Sequence, residues 1–130
     1  MTEVFIYRTP GRESQAADFL EMLDPRLRDK LIRQLIALPH TPRAALKEPH
    51  FKHFSLERYR GLYELRERGR VMVRIIFTLL PDGSALLLYA FVKRRGRDTM
   101  RALERALQVL AAFREHPEYA AELIVREEGL

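Results

Sequence analysis

Four cations and one phenol stand where a β-sheet can gather them. Arg66 ends the run Gly61-Leu62-Tyr63-Glu64-Leu65-Arg66, and Arg74 lies inside Val73-Arg74-Ile75-Ile76-Phe77. Tyr89, Lys93 and Arg94 belong to Leu88-Tyr89-Ala90-Phe91-Val92-Lys93-Arg94. An arginine within an apolar strand must reach water, a carboxylate or a phosphate, because burying its charge unpaired is costly. For Arg66 and Arg74 three outcomes are open: a solvated strand face, a pair with Glu64, or an anion from outside. The chemistry that such cations suit is phosphoryl chemistry, since the guanidinium fork matches phosphate bidentately and stabilises charge that develops on phosphorus. Arg66 and Arg74 on adjacent strands, with Lys93 and Arg94 at the end of a third, are candidates to converge on one phosphate.

The elements that must position them form an antiparallel meander. Strands are expected over residues 62–66, 70–80 and 85–92. Glu67-Arg68-Gly69 joins the first pair, and Pro81-Asp82-Gly83-Ser84 joins the second as a hairpin, Pro presetting φ and Gly supplying the φ > 0 position. Alternation puts Leu62, Glu64 and Arg66 on one face and Tyr63 and Leu65 on the other; Met72, Arg74 and Ile76 oppose Val73, Ile75 and Phe77. Ahead of the meander, Val4-Phe5-Ile6-Tyr7 reads as a first strand at the edge or in the middle of the sheet. A helical pattern starts at Ser14, and Asp24-Pro25 opens a second helix as N-cap and first residue. Its stripe of Leu27, Leu31, Leu35 and Leu38, widened by Ile32 and Ile36, marks a core-facing side of a helical hairpin. Residues 40–49 are marked by prolines, with room for a helical turn between Arg43 and Lys47. His50 and His53 lack a nearby third ligand and read as loop residues beside a basic surface rather than a metal site.

After the third strand, Lys93-Arg94-Arg95-Gly96-Arg97 leads into a helix with Asp98 as its expected N-cap and Met100, Leu103, Leu107 and Leu110 as its stripe, ending near Phe113. A basic loop entering a helix presents side chains and backbone N–H groups to phosphate; the alternative is a solvated turn that keeps the sheet end soluble. His116-Pro117 breaks the helix, and residues 118–124 read as a short amphipathic helix before a frayed acidic end. The expected architecture is α+β, β-α-α-β-β-β-α, with a mainly antiparallel twisted sheet and helices packed on one face. Residues 1–113 form the domain, and residues 114–130 a C-terminal extension packed on it or trailing from it.

Composition sets the outer limits. The 130 residues, 47% hydrophobic, suffice for one core. There is no cysteine, which removes disulfides and thiolate metal sites. No apolar run approaches a membrane span, and the first residues lack signal-peptide features, so a cytoplasmic protein is expected. The net charge of +5 is concentrated: residues 58–105 hold twelve Lys or Arg against five acids. That segment is the electrostatic footprint of a nucleic-acid binder. Lys52, Arg58, Arg60, Arg70, Arg95 and Arg97 are the candidate nucleic-acid contacts around the central set.

Phe51-Lys52-His53-Phe54, the Gly61–Arg66 run, Val73–Phe77 and Leu88–Arg94 together resemble the phage-derived HigB-like branch of the RelE/ParE toxin superfamily, over residues 51–113. The resemblance implies a type II toxin: an endonuclease that cuts mRNA on the ribosome and is neutralised by a small helix-turn-helix antitoxin encoded nearby. It also implies that Arg66, Arg74 and Lys93 or Arg94 are phosphate-contacting or catalytic. Transesterification by the 2′-hydroxyl needs no cofactor. Arginine cannot act as base, so a base is left to Lys93 among its cationic neighbours, to Glu64, or to a group of the ribosome or RNA. Tyr89 stands where many members of that branch carry His; it supplies a phenol, stacks on a base, or is a sheet aromatic. The alternatives are a non-catalytic module that binds an antitoxin or RNA and, last, a ParE-like gyrase inhibitor. Unlike many members of the branch, this chain continues well past the helix. The acidic residues of that tail can fold against the basic face or support an oligomer.

Overall fold

A computed structural model describes residues 4–46 and 50–123. The fold is α+β, with three helices and one six-stranded sheet among the described residues. Strand β1 (Val4–Tyr7) is followed by helices α1 (Gln15–Glu21) and α2 (Pro25–Ile36), then β2 (Phe51–His53), β3 (Tyr63–Arg68), β4 (Met72–Leu79) and β5 (Ala85–Val92), helix α3 (Gly96–Glu115) and β6 (Ala120–Glu122). The order across the sheet is β2-β3-β4-β5-β1-β6, with only β1 and β5 parallel. Among the described residues no helix is long and apolar enough to cross a membrane.

Local chemistry accounts for the element ends. The Ser14 hydroxyl accepts the Ala17 N–H and caps the helix whose pattern starts there, and the Asp24 carboxylate accepts the N–H of Leu27 with Pro25 at the first turn, as expected for the second helix. In the β4–β5 hairpin Asp82 accepts the Ser84 N–H at 2.9 Å, which holds its carboxyl below the usual range. Gly83 adopts φ +89°, and a Cβ there would lie 3.1 Å from the Pro39 backbone. Beyond the end of β1, the Gln15 amide takes over as partner of β5, donating to the Ala90 carbonyl (2.6 Å) and accepting its N–H (2.9 Å).

The sheet is covered on both faces, not on the single face expected. Leu31 and Leu35 of α2 and Ala16 and Leu20 of α1 pack on Leu65, Val73, Ile75 and Phe77, whereas Ala102, Leu103, Ala106 and Leu110 of α3 pack on Leu62, Ile76, Leu86 and Leu88. The reason is in β4, which carries large apolar side chains at alternating and opposing positions and is buried from Val73 to Phe77. Glu67 ties the first layer down: it receives Lys30 at 2.7 Å and Gln34 at 3.0 Å. Burial would raise its carboxyl, but these two donors prevail and hold it low.

Three further expectations change. Asp98 is not the N-cap of α3; it sits inside the first turn and accepts the N–H groups of Arg94 (2.8 Å) and Arg95 (2.7 Å). Met100 leaves the buried stripe and is half exposed, its place taken by Ala102 and Ala106. Residues after Pro117 form a 3-10 turn and then β6 rather than a helix, because the β1 edge offers unpaired backbone that residues 120–122 satisfy. The Tyr7 hydroxyl, 2.8 Å from the Ala112 carbonyl, closes the α3 end against this turn. The expected helical residue Ile124, and the acidic end beyond it, lie outside the described residues.

Candidate nucleic-acid interface

Register brings the two strand arginines together. Arg66 and Arg74 are directly paired across β3 and β4, and Glu64 is opposite Ile76 on the same face, the one that α3 covers. Like charges facing each other across a ladder repel. Glu64 resolves this: its Oε1 lies 2.8 Å from Arg66 Nε and 2.7 Å from Arg74 Nη1. Glu64 is fully buried and Arg74 nearly so, whereas the Arg66 side chain is 25% exposed. Of the open alternatives for these arginines, the structure holds the pair with Glu64. Arg74 is an internal cation under the surface, and Glu64, one of the base candidates, is shared by two guanidinium groups.

Lys93 follows β5 with its N–H on the Met72 carbonyl at 2.8 Å, one position past the end of the ladder. There it lines a cleft of about 340 Å³ together with Lys52 and Arg66. Leu56, Thr99 and Met100 are also in its wall. The Thr99 hydroxyl is buried without a hydrogen-bond partner, while Leu56 and Met100 are 59% and 49% exposed. Three cations, one unused hydroxyl and an exposed apolar lip therefore surround a space open to an anionic ligand. The sequence reading missed Thr99, Leu56 and Met100.

Tyr89 and Arg94 are not in that cleft. A β-bulge in β5 pairs Tyr89 with Ile76 but Leu87 with Phe77, so Leu88 and Tyr89 both turn to the α3 side. Tyr89 lines a larger groove of about 670 Å³ with Arg94, Arg95 and Arg97. The candidates thus divide: Lys52, Arg66 and Lys93 on one side of the start of α3, and Tyr89, Arg94, Arg95 and Arg97 on the other.

The remaining cations are elsewhere. Arg58 is bound in a bidentate pair to Glu104 of α3, which also receives the Tyr59 hydroxyl at 2.7 Å. Those two donors, Arg58 first, hold the Glu104 carboxyl at about 2, and the Glu104 carboxylate raises Arg58 in turn. Arg60 is exposed and its carbonyl lies 2.5 Å from His53 Nε2; Arg70 is exposed in the β3–β4 turn. His50 gives its carbonyl to the Arg66 N–H at 2.7 Å.

A single small α+β domain with a mainly antiparallel sheet, helices on both faces and basic clefts beside the last helix is consistent with the RelE-like fold. Within that class, residues 18–111 match the family model described as phage-derived Gp49-like protein (DUF891), and the chain belongs to this family, which is part of the RelE/ParE-like toxin superfamily. No curated protein matches the chain.

Proposed function

We propose that this protein is a HigB-like toxin of a type II toxin–antitoxin system, an mRNA endonuclease that acts on the ribosome in the cytoplasm. The observation that carries the reading is the cleft in which Lys52, Arg66 and Lys93 converge beside Thr99. Membership of a family within a toxin superfamily supports it. In the proposed reaction the RNA 2′-hydroxyl gives its proton to a group of the ribosome or RNA as its oxygen attacks the adjacent phosphorus, a P–O2′ bond forms, the P–O5′ bond breaks, and the 5′-oxygen takes up a proton from water. Arg66 and Lys93 stabilise the charge gathered on the non-bridging oxygens. Arg74 holds Glu64, and Glu64 fixes Arg66, so Arg74 is a positioning residue in this scheme. The ribosome orients the RNA, and a helix-turn-helix antitoxin inhibits by covering the cleft or blocking ribosome entry.

The test is cleavage of a 5′-labelled mRNA by purified protein with and without programmed ribosomes, for the wild type, Arg66→Ala and Lys93→Ala. Cleavage only with ribosomes, reduced at least 100-fold in each folded variant, is expected on the scale of lost charge stabilisation. Intact mRNA from folded, antitoxin-free protein would sink the endonuclease reading. A second reading, a non-catalytic module binding antitoxin or RNA, draws on the burial of Glu64, which keeps that carboxylate engaged with Arg66 and Arg74 and away from a substrate; it predicts binding with no cleavage.

A further inference from the structure

We infer that the groove on the other side of the start of α3 is a separate binding site for single-stranded RNA, built on an arginine ladder that runs along the helix. Arg97, Arg101 and Arg105 line it at successive fourth residues. Such positions fall on one helix face and rise about 6 Å per step, a repeat suited to consecutive phosphates of an extended strand. Arg94 and Arg95 close the groove at the helix start, and Tyr89 and Phe91 lie within it with ring centroids 6.3 Å apart.

The two acids that reach the groove are both committed. Asp98 accepts the backbone N–H groups of Arg94 and Arg95, and Glu104 binds Arg58 and Tyr59. Among the described residues no ion pair within 4.0 Å engages Arg94, Arg95, Arg97, Arg101 or Arg105. A solvated helix face would normally interleave charges, since like charges four residues apart weaken a helix. Here Asp98, which the charges of Arg95 and Arg101 help to hold low, offsets part of that repulsion, and five arginines still face two acids in a groove with an aromatic floor. A cationic wall with aromatic rings is the combination that holds single strands, the phosphates on the cations and a base on a ring; a duplex hides its base faces. The exposed apolar side chains Leu56 and Met100 belong to the other cleft, so this groove lacks the lip that a partner helix would use. The site rests on the reading of the chain as an RNA-binding protein but not on its cutting RNA.

The experiment is fluorescence anisotropy of a labelled short oligouridine with the full chain, titrated over a range of salt without ribosomes. Arg101→Gln/Arg105→Gln should bind at least tenfold more weakly and lower the slope of log K against log salt by about 1.4, two single-strand phosphate contacts. Its thermal stability should stay close to that of the wild type, because the relieved repulsion along α3 is offset by the lost attraction between Arg101 and Asp98. Tyr89→Leu should weaken binding about fivefold or more with the slope unchanged. Arg26→Gln/Arg33→Gln on α2 should stay within about twofold of wild type, allowing only for the loss of distant screened charge. The wild-type chain is read for binding without ribosomes and for cleavage with them, so binding without cleavage separates failure of the endonuclease reading from failure of this site. Absent wild-type binding at low salt, equal loss in the α2 variant, or a duplex of the same length bound as tightly would overturn the proposal.

Discussion

Glu64 is the residue on which both strand arginines depend. Removing one partner from a buried ionic group leaves an uncompensated charge and costs about 3–5 kcal/mol. Glu64→Gln is therefore expected to lower the unfolding free energy by roughly that amount, measured by urea denaturation, because the Arg74 side chain is only 7% exposed. Exchanging Glu64→Leu and Arg74→Met together should cost much less than the sum of the single changes, and additive effects would show that the two do not act as a pair. The same reasoning makes Arg74→Ala a poor probe of catalysis, since it acts on the fold as well as on Arg66. A different carboxylate gives a pH signature. Glu104 is held at about 2, against an ordinary value of 4.5, by Arg58 and then Tyr59. A depressed carboxylate stabilises the fold fully above its unfolded value and loses that contribution as pH falls through the folded one. The difference in melting temperature between wild type and Glu104→Gln should hence be constant from neutral pH to about 5 and close as pH approaches 2. A difference that persists at the acid end would mean that the carboxylate charge is not what holds the 54–60 loop to α3.

At the scale of elements, turn and cap chemistry was legible because it is local. Ser14, Asp24-Pro25 and Pro81-Asp82-Gly83-Ser84 act where their types say they should. The Gly83 position can be tested: Gly83→Ala forces a Cβ into φ +89° and toward Pro39. A non-glycine residue in that region costs about 1–2 kcal/mol before any clash, so a loss of at least this size in urea unfolding is expected, and a neutral result would mean that the hairpin relaxes away from Pro39. What sequence could not give depends on register and on distant partners. Strands β2 and β6 are three residues each, too short for any period to show. The bulge at Leu88 shifts the register of β5 on β4, and the division of Tyr89 and Lys93 between two clefts depends on where the start of α3 packs. Arg101 and Arg105 had only entered a charge count, although their spacing from Arg97 was a readable signal.

At the scale of the whole molecule, the question is what the tail does to the basic surface. In the strand order β6 is at one edge and β2 at the other, so residues 120–122 pair with β1 on the far side of the sheet from Lys52 and Arg66. Their effect is on the sheet edge instead: β6 covers the backbone of β1, the Leu123 N–H meets the Val4 carbonyl at 2.8 Å, and the Leu123 side chain joins the α1–α2 core. An uncovered edge strand invites pairing with another chain, and burial of one leucine contributes about 1.5–3 kcal/mol. A chain ending at His116 should therefore be less stable than one ending at Leu123 by at least that amount and should self-associate on size-exclusion chromatography. Its ribosome-dependent cleavage per folded molecule should match, since the cleft is built from β2, β3, the end of β5 and α3. Faster cleavage by the shorter chain would show instead that residues 117–123 restrain the site across the sheet, and would return the tail to the role of an internal inhibitor.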